Sequence, residues 1–169
     1  MFEKERASLA RQGKWVWVLL LPVVCVGSYC VCGGAAAIAI PGFLDYTRRS
    51  KAAEAMANLA TLARSMESWC EGVGSAPRGF PPSAGPIPAI PLEQRQEFVA
   101  EGSFIALGFT ADPVYYSYSI VTPDSEHSSI IAAGDLDGDG VFSRYVVSCA
   151  VDAGACHCDS TPVIHDELE

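Results

Sequence analysis

The order of apolar and polar positions divides the chain into three regimes. From Trp15 to Ile40 there are 26 residues without an Asp, Glu, Lys, Arg or His. About 20 such residues are enough to span the hydrocarbon core of a bilayer, so the pattern predicts a transmembrane helix over 15–40. From Phe43 to Glu71 the spacing changes. Ala52, Ala55, Met56, Leu59, Leu62, Ala63, Met66 and Trp69 recur at steps of three and four, while Arg49, Lys51, Glu54, Asn58, Thr61, Arg64, Glu67 and Ser68 fill the other face. That period gives an amphipathic helix with one stripe to bury. Pro41-Gly42 joins the two parts, where a proline kinks a helix without ending it. Gly72 and Gly74 mark the stop.

Beyond residue 113 the period drops to two. Val114, Tyr116, Tyr118 and Ile120 alternate with Tyr115, Ser117 and Ser119, which predicts a strand over Val114–Val121. Ser128–Leu136 and Val141–Cys149 are rich enough in β-branched and aromatic residues for two more, and the Asp137-Gly138-Asp139-Gly140 string between them signals a hairpin. Residues 72–91 hold 6 Pro and 4 Gly and read as a loop with turns and extended pieces. Leu92–Glu101 reads as a short helix. The fold class expected is α+β, with a long N-terminal helix, part membrane and part amphipathic, laid on a small antiparallel sheet. The divisions are a basic N-terminus at 1–14, the membrane segment at 15–40, the amphipathic helix at 41–71, and a β-rich head with a C-terminal tail at 72–169.

Charge sharpens this division. Only 18% of residues are charged and 50% are hydrophobic, with a net charge of −9. The acidity is regional, since residues 72–169 carry 14 anions against 3 cations. Such a balance argues against a nucleic-acid partner, which needs a basic stripe, and the apolar content argues against bulk disorder. Lys4, Arg6, Arg11 and Lys14 precede the apolar run, so the positive-inside rule puts the N-terminus in the cytoplasm and the head outside. Trp15 and Trp17 would sit at the cytoplasmic interface. The run is long for a cleaved signal peptide, and a retained single-pass anchor in a bacterial inner membrane is expected, with lipid as one partner.

The stretch Ala39, Ile40, Pro41, Phe43, Tyr46, Arg49, Ser50, Lys51, Glu54, Ala55, Asn58 and Leu59 resembles the N-terminal helix of type IV pilins, with its A-I-P-x-F, R-S-K and E-A-x-x-N-L strings. The later pattern running from Leu107-Gly-Phe-Thr-Ala-Asp-Pro to Gly134-Asp-Leu-Asp-Gly-Asp-Gly is similar to pilin-like proteins of the myxobacterial type. The resemblance implies a long helix packed on an antiparallel sheet. It implies helix packing through Pro41, Phe43, Tyr46, Ala55, Leu59, Leu62 and Met66, and other pilin-like subunits as partners. One feature departs from the family. Its glutamate near the start of the mature helix would fall at Val24, with the mature chain beginning at Leu20, yet no glutamate lies between Glu5 and Glu54. Prepilin-peptidase processing is therefore not expected.

Candidate chemistry is sparse. Asp135, Asp137 and Asp139, followed by Gly140, have the spacing that opens an EF-hand loop, and carboxylates two residues apart can wrap a hard cation. The twelfth position would be Val146 in place of the required Glu, so an EF-hand is excluded. A looser calcium loop completed by Ser143 or backbone carbonyls stands against a solvated Asp-Gly hairpin. No other cofactor is called for. Of seven cysteines, Cys25, Cys30 and Cys32 fall in the membrane segment and read as small apolar packing. Cys70, Cys149, Cys156 and Cys158 predict two disulfides with three connectivities open, Cys70 joining Cys149 or Cys156 in the favoured ones. Cys156-His157-Cys158 lacks the second ligand pair that zinc needs. His127, His157 and His165 read as loop or tail residues. No nucleophile elbow, P-loop, dinucleotide fingerprint or H-E-x-x-H string occurs. The expectation is a non-catalytic, membrane-anchored pilin-like subunit of a type IV pilus or type II secretion-like machine, with no small-molecule substrate. The alternative is a membrane-tethered calcium-binding module that does not polymerise.

Overall fold

A computed structural model describes the backbone of residues 2–72 and 78–166, with side chains at 34, 37 and from 39 onward. Two compact units divide the chain, Met1–Asp45 and Tyr46–Glu169. Helix α1 runs Phe2–Glu71. Among the described residues no helix is long and apolar enough to cross a membrane. Most side chains of the expected span at 15–40, including Cys25, Cys30 and Cys32, lie outside the described residues, as do the side chains of 1–14 and all of Gly74.

In the second unit the last turns of α1 pack on a six-stranded antiparallel sheet, so the architecture is α+β. The strands are β1 Ala84–Ile87, β2 Ser117–Val121, β3 His127–Gly134, β4 Ser143–Asp152, β5 Ala155–Cys158 and β6 Val163–His165, with a short helix α2 at Ser103–Ala106 before β2. They lie in the order β1-β2-β3-β4-β5, and β6 also pairs with β4. Strands β2, β3 and β4 keep an unbroken register, Tyr118 facing Ala132 and Ala132 facing Tyr145. Alternation then turns Tyr116, Tyr118, Ile120, Ile130, Ala132, Tyr145 and Val147 to one buried face.

The helix lays Ala52, Ala55, Leu59, Leu62, Ala63, Met66 and Cys70 on that face. The period-3.6 reading therefore holds for the stripe, except that Met56 is 40% exposed and Trp69 only half-buried. Fully burying a Leu or Met side chain stabilises by about 1.5–3 kcal/mol. A group of rings joins the same core beside Tyr118, with Phe98 edge-on to Phe104 and Phe109 at centroid distances of 5.4 and 5.3 Å. Gly72 ends the helix in the left-handed region, at φ 60°, where any other residue is strained.

Several expectations are corrected. Leu92–Glu101 is not a helix. Gln96 forms a two-way backbone bridge with Val114, at 2.8 Å in each direction, and Phe98 enters the aromatic group. Tertiary pairing overrides the helix formers in that stretch. The Pro-rich loop contains β1, an edge strand with an irregular register against β2, where the missing N–H of proline does little harm. The strand expected from Val114 begins at Ser117. His127, His157 and His165 sit on β3, β5 and β6 and not in loops or a tail.

Two disulfides fasten the layers. Cys70 at the end of α1 joins Cys156 on β5, and Cys149 joins Cys158 across the β4–β5 pair. The first closes a separation of 86 residues and the second one of 9. In the chain-entropy account these constrain the unfolded state by about 4–5 and about 2–3 kcal/mol respectively. Replacing both Cys70 and Cys156 by Ala should therefore lower the urea midpoint about twice as much as replacing both Cys149 and Cys158. Paired equilibrium unfolding curves check the order.

Candidate functional site

The three aspartates converge. One carboxylate oxygen from each of Asp135, Asp137 and Asp139 lies within 4.8 Å of the others, in the eight-residue connection between β3 and β4. Gly134, the last residue of β3, starts this connection over the Tyr116 ring; a Cβ there would fall 2.5 Å from the ring. Asp135 is buried and folds the loop around itself, its two oxygens accepting the Gly138 and Gly140 N–H groups at 2.7 and 3.2 Å. Asp139 accepts the Val141 N–H at 2.7 Å. Asp137 faces the helix, and the Arg48 guanidinium donates to its Oδ2 at 2.8 Å. One turn on, Lys51 Nζ donates to the Leu136 carbonyl at 3.2 Å and the Glu93 carbonyl at 3.3 Å.

The loop therefore already holds cations, and they come from α1. The carboxylates are arranged compatibly with a metal ion, since each oxygen keeps a second lone pair. Giving one oxygen each, they supply three of the six to eight oxygens that calcium takes. Ser143 is not available to complete the shell. It is buried, and its hydroxyl bonds the Gly134 carbonyl at 3.1 Å and the Tyr116 hydroxyl at 3.3 Å.

Further along the helix, residues assigned to its solvent face also reach the sheet. Glu54 accepts the Tyr115 N–H at 2.9 Å and pairs with Arg95 at 3.5 Å. Lys51 and Arg95 both stack on the Tyr115 ring, at 4.9 and 5.0 Å from its centroid. Asn58 donates to the Tyr118 hydroxyl at 2.9 Å. Glu67 accepts the Cys158 N–H at 2.8 Å, closing part of the β5 edge, with His157 3.8 Å away. Burial pushes the Glu54 carboxyl above its ordinary range, outweighing the Tyr115 hydrogen bond and the arginine. Burial likewise lifts the Tyr118 phenol above its usual range and keeps it neutral.

Of the residues expected in helix packing, Ala55, Leu59, Leu62 and Met66 are buried within this unit. Pro41, Phe43 and Tyr46 are exposed, the last two by 65% and 70%. The sequence reading missed Arg48 and Arg95 as partners of the head. Arg48 and Lys51 share a helix face beside the buried stripe, which was the one available signal.

Two outcomes follow. Arg48→Ala leaves three close carboxylates without a guanidinium and should cost about 1–2 kcal/mol of stability. Millimolar calcium should recover most of that loss while raising the parent's melting temperature less; calorimetric melts of both proteins check this. For Glu54, a folded pKa above the unfolded value means a stabilisation present at low pH and lost as pH rises through the folded pKa. Glu54→Gln should therefore gain on the parent between pH 4 and pH 7, as urea midpoints across that window will show. No protein-family model, curated protein or solved structure matches this chain.

Proposed function

We propose that the chain is a non-catalytic, membrane-anchored, pilin-like structural or accessory subunit of a type IV pilus or type II secretion-like machine. It would cross a bacterial inner membrane once, N-terminus inside, with the acidic head in the periplasm or beyond. One observation carries this reading, namely how the pilin-like stretch divides along α1. Glu54 and Asn58 bond to backbone and side chain beside and on β2, and Ala55 and Leu59 are buried. Ile40, Phe43, Leu44 and Tyr46, just upstream, are each at least half exposed. A helix fixed to its own sheet at one stretch, with bulky apolar side chains uncovered at the next, calls for a second apolar environment there. Lipid supplies it near the bilayer, and the helix of a neighbouring subunit supplies it in an assembly.

The competing reading, a tethered calcium module, is supported by the convergence of Asp135, Asp137 and Asp139. It is weakened by Arg48, which already occupies Asp137. Photocrosslinking separates assembly from simple tethering. With p-benzoylphenylalanine at position 43 of the full chain in cell membranes, assembly predicts adducts at twice the chain mass. Adducts with lipid alone would contradict it.

A further inference from the structure

We propose that the groove along the last three turns of α1 binds an oxyanion, a phosphate or carboxylate group carried by a small ligand. This site is independent of the assembly argued above. The groove has a volume of about 530 Å3, inside the roughly 300–1,000 Å3 of small-molecule sites. Thr61, Arg64, Ser65, Ser68 and Trp69 follow one another at helical steps along its floor, and Arg78 closes it from the chain beyond the helix. Ala106 and Leu107 form an apolar wall. Among the described residues no carboxylate lines it.

That composition runs against the rest of the head, where anions outnumber cations 14 to 3 over residues 72–169. Three other cations beside the helix are engaged by the protein itself: Arg48 by Asp137, Lys51 by two carbonyls, Arg95 by Glu54. Among the described residues neither Arg64 nor Arg78 has an ion-pair partner. The Arg78 guanidinium lies over the Trp69 ring, 4.5 Å from its centroid, and its backbone N–H is held by the Cys70 carbonyl at 2.6 Å. A guanidinium held over an indole face keeps its N–H donors available, and such donors can grip an oxyanion with two parallel bonds.

The hydroxyls add to this. Ser65 and Ser68 can donate to the same anion, whereas Thr61 already donates to the Ala57 carbonyl at 2.9 Å and can only accept. A helix C-terminus opposes a bound anion with roughly half a negative charge. One arginine outweighs that half charge and the second makes the groove clearly positive, so loss of either should weaken the site.

The full chain in neutral detergent micelles tests the proposal, read by the Trp69 indole N–H resonance during titration with inorganic phosphate and, separately, with glucuronate. A saturable shift at millimolar concentration is expected, with chloride at matched ionic strength giving none. Saturation by phosphate alone identifies a phosphate-bearing ligand, and saturation by glucuronate alone a carboxylate-bearing one. Arg64→Gln, on an exposed helix position, should weaken binding at least tenfold, and Arg64→Lys, which keeps the charge but loses the fork, by less. Absence of a saturable shift with both anions up to tens of millimolar would overturn the site. So would an unchanged midpoint in a folded Arg64→Gln protein.

Discussion

The structure of the head depends on one constraint, that an amphipathic helix must bury the stripe from Ala52 to Cys70. A single sheet face of Tyr116, Tyr118, Ile120, Ile130, Ala132, Tyr145 and Val147 accepts it. The buried stripe combines small residues at Ala52, Ala55 and Ala63 with larger ones at Leu59, Leu62 and Met66. Once those residues are buried, the position of every polar group beside the stripe is set by the helical period. Arg48, Lys51, Glu54, Asn58 and Glu67 then meet, in order, the acidic loop, the Tyr115 ring, the Tyr115 backbone, the Tyr118 hydroxyl and the β5 edge. Among the described residues no buried side-chain polar atom lacks a partner, as burial in a low-dielectric core demands.

The same constraint governs the acidic loop. Three aspartates within 4.8 Å repel one another, and the connection between β3 and β4 is held by backbone N–H groups from within and by Arg48 from outside. A hard cation and a guanidinium answer the same electrostatic need. The helix carries the second, so the loop's order is tied to the docking of α1 and not only to an ion. The disulfide from Cys70 to Cys156 fixes the far end of the same helix. The proposed oxyanion groove runs along the last three turns of the same helix.

Legibility in the sequence followed the length of the element. The stripe repeats over five turns, and its period alone placed Ala55, Leu59, Leu62 and Met66 in the core; Met56 failed because it lies at the stripe's margin, one position beyond Ala55. Strand β2 was visible through alternation, and β3 and β4 through their β-branched and aromatic residues and the Asp-Gly string between them. β5 and β6, at four and three residues, have no period to read and exist through pairing with β4. β1 was hidden by its prolines, which an edge strand tolerates. Leu92–Glu101 misled because its residues favour a helix locally, while Gln96 and Phe98 are claimed by distant partners. The aspartates were legible from their spacing. Their arginine was not, since Arg48 lies 89 residues away and meets Asp137 only through the packing of helix on sheet.

Native-state hydrogen exchange on the full chain tests most directly the claim that the helix stripe and the sheet form one cooperative unit. The account predicts that amides of residues 55–66 exchange with the same opening free energy and denaturant dependence as those of β2, β3 and β4. Exchange of 55–66 through a smaller, separate opening, with the strands still protected, would show that the sheet stands without the helix and would contradict it.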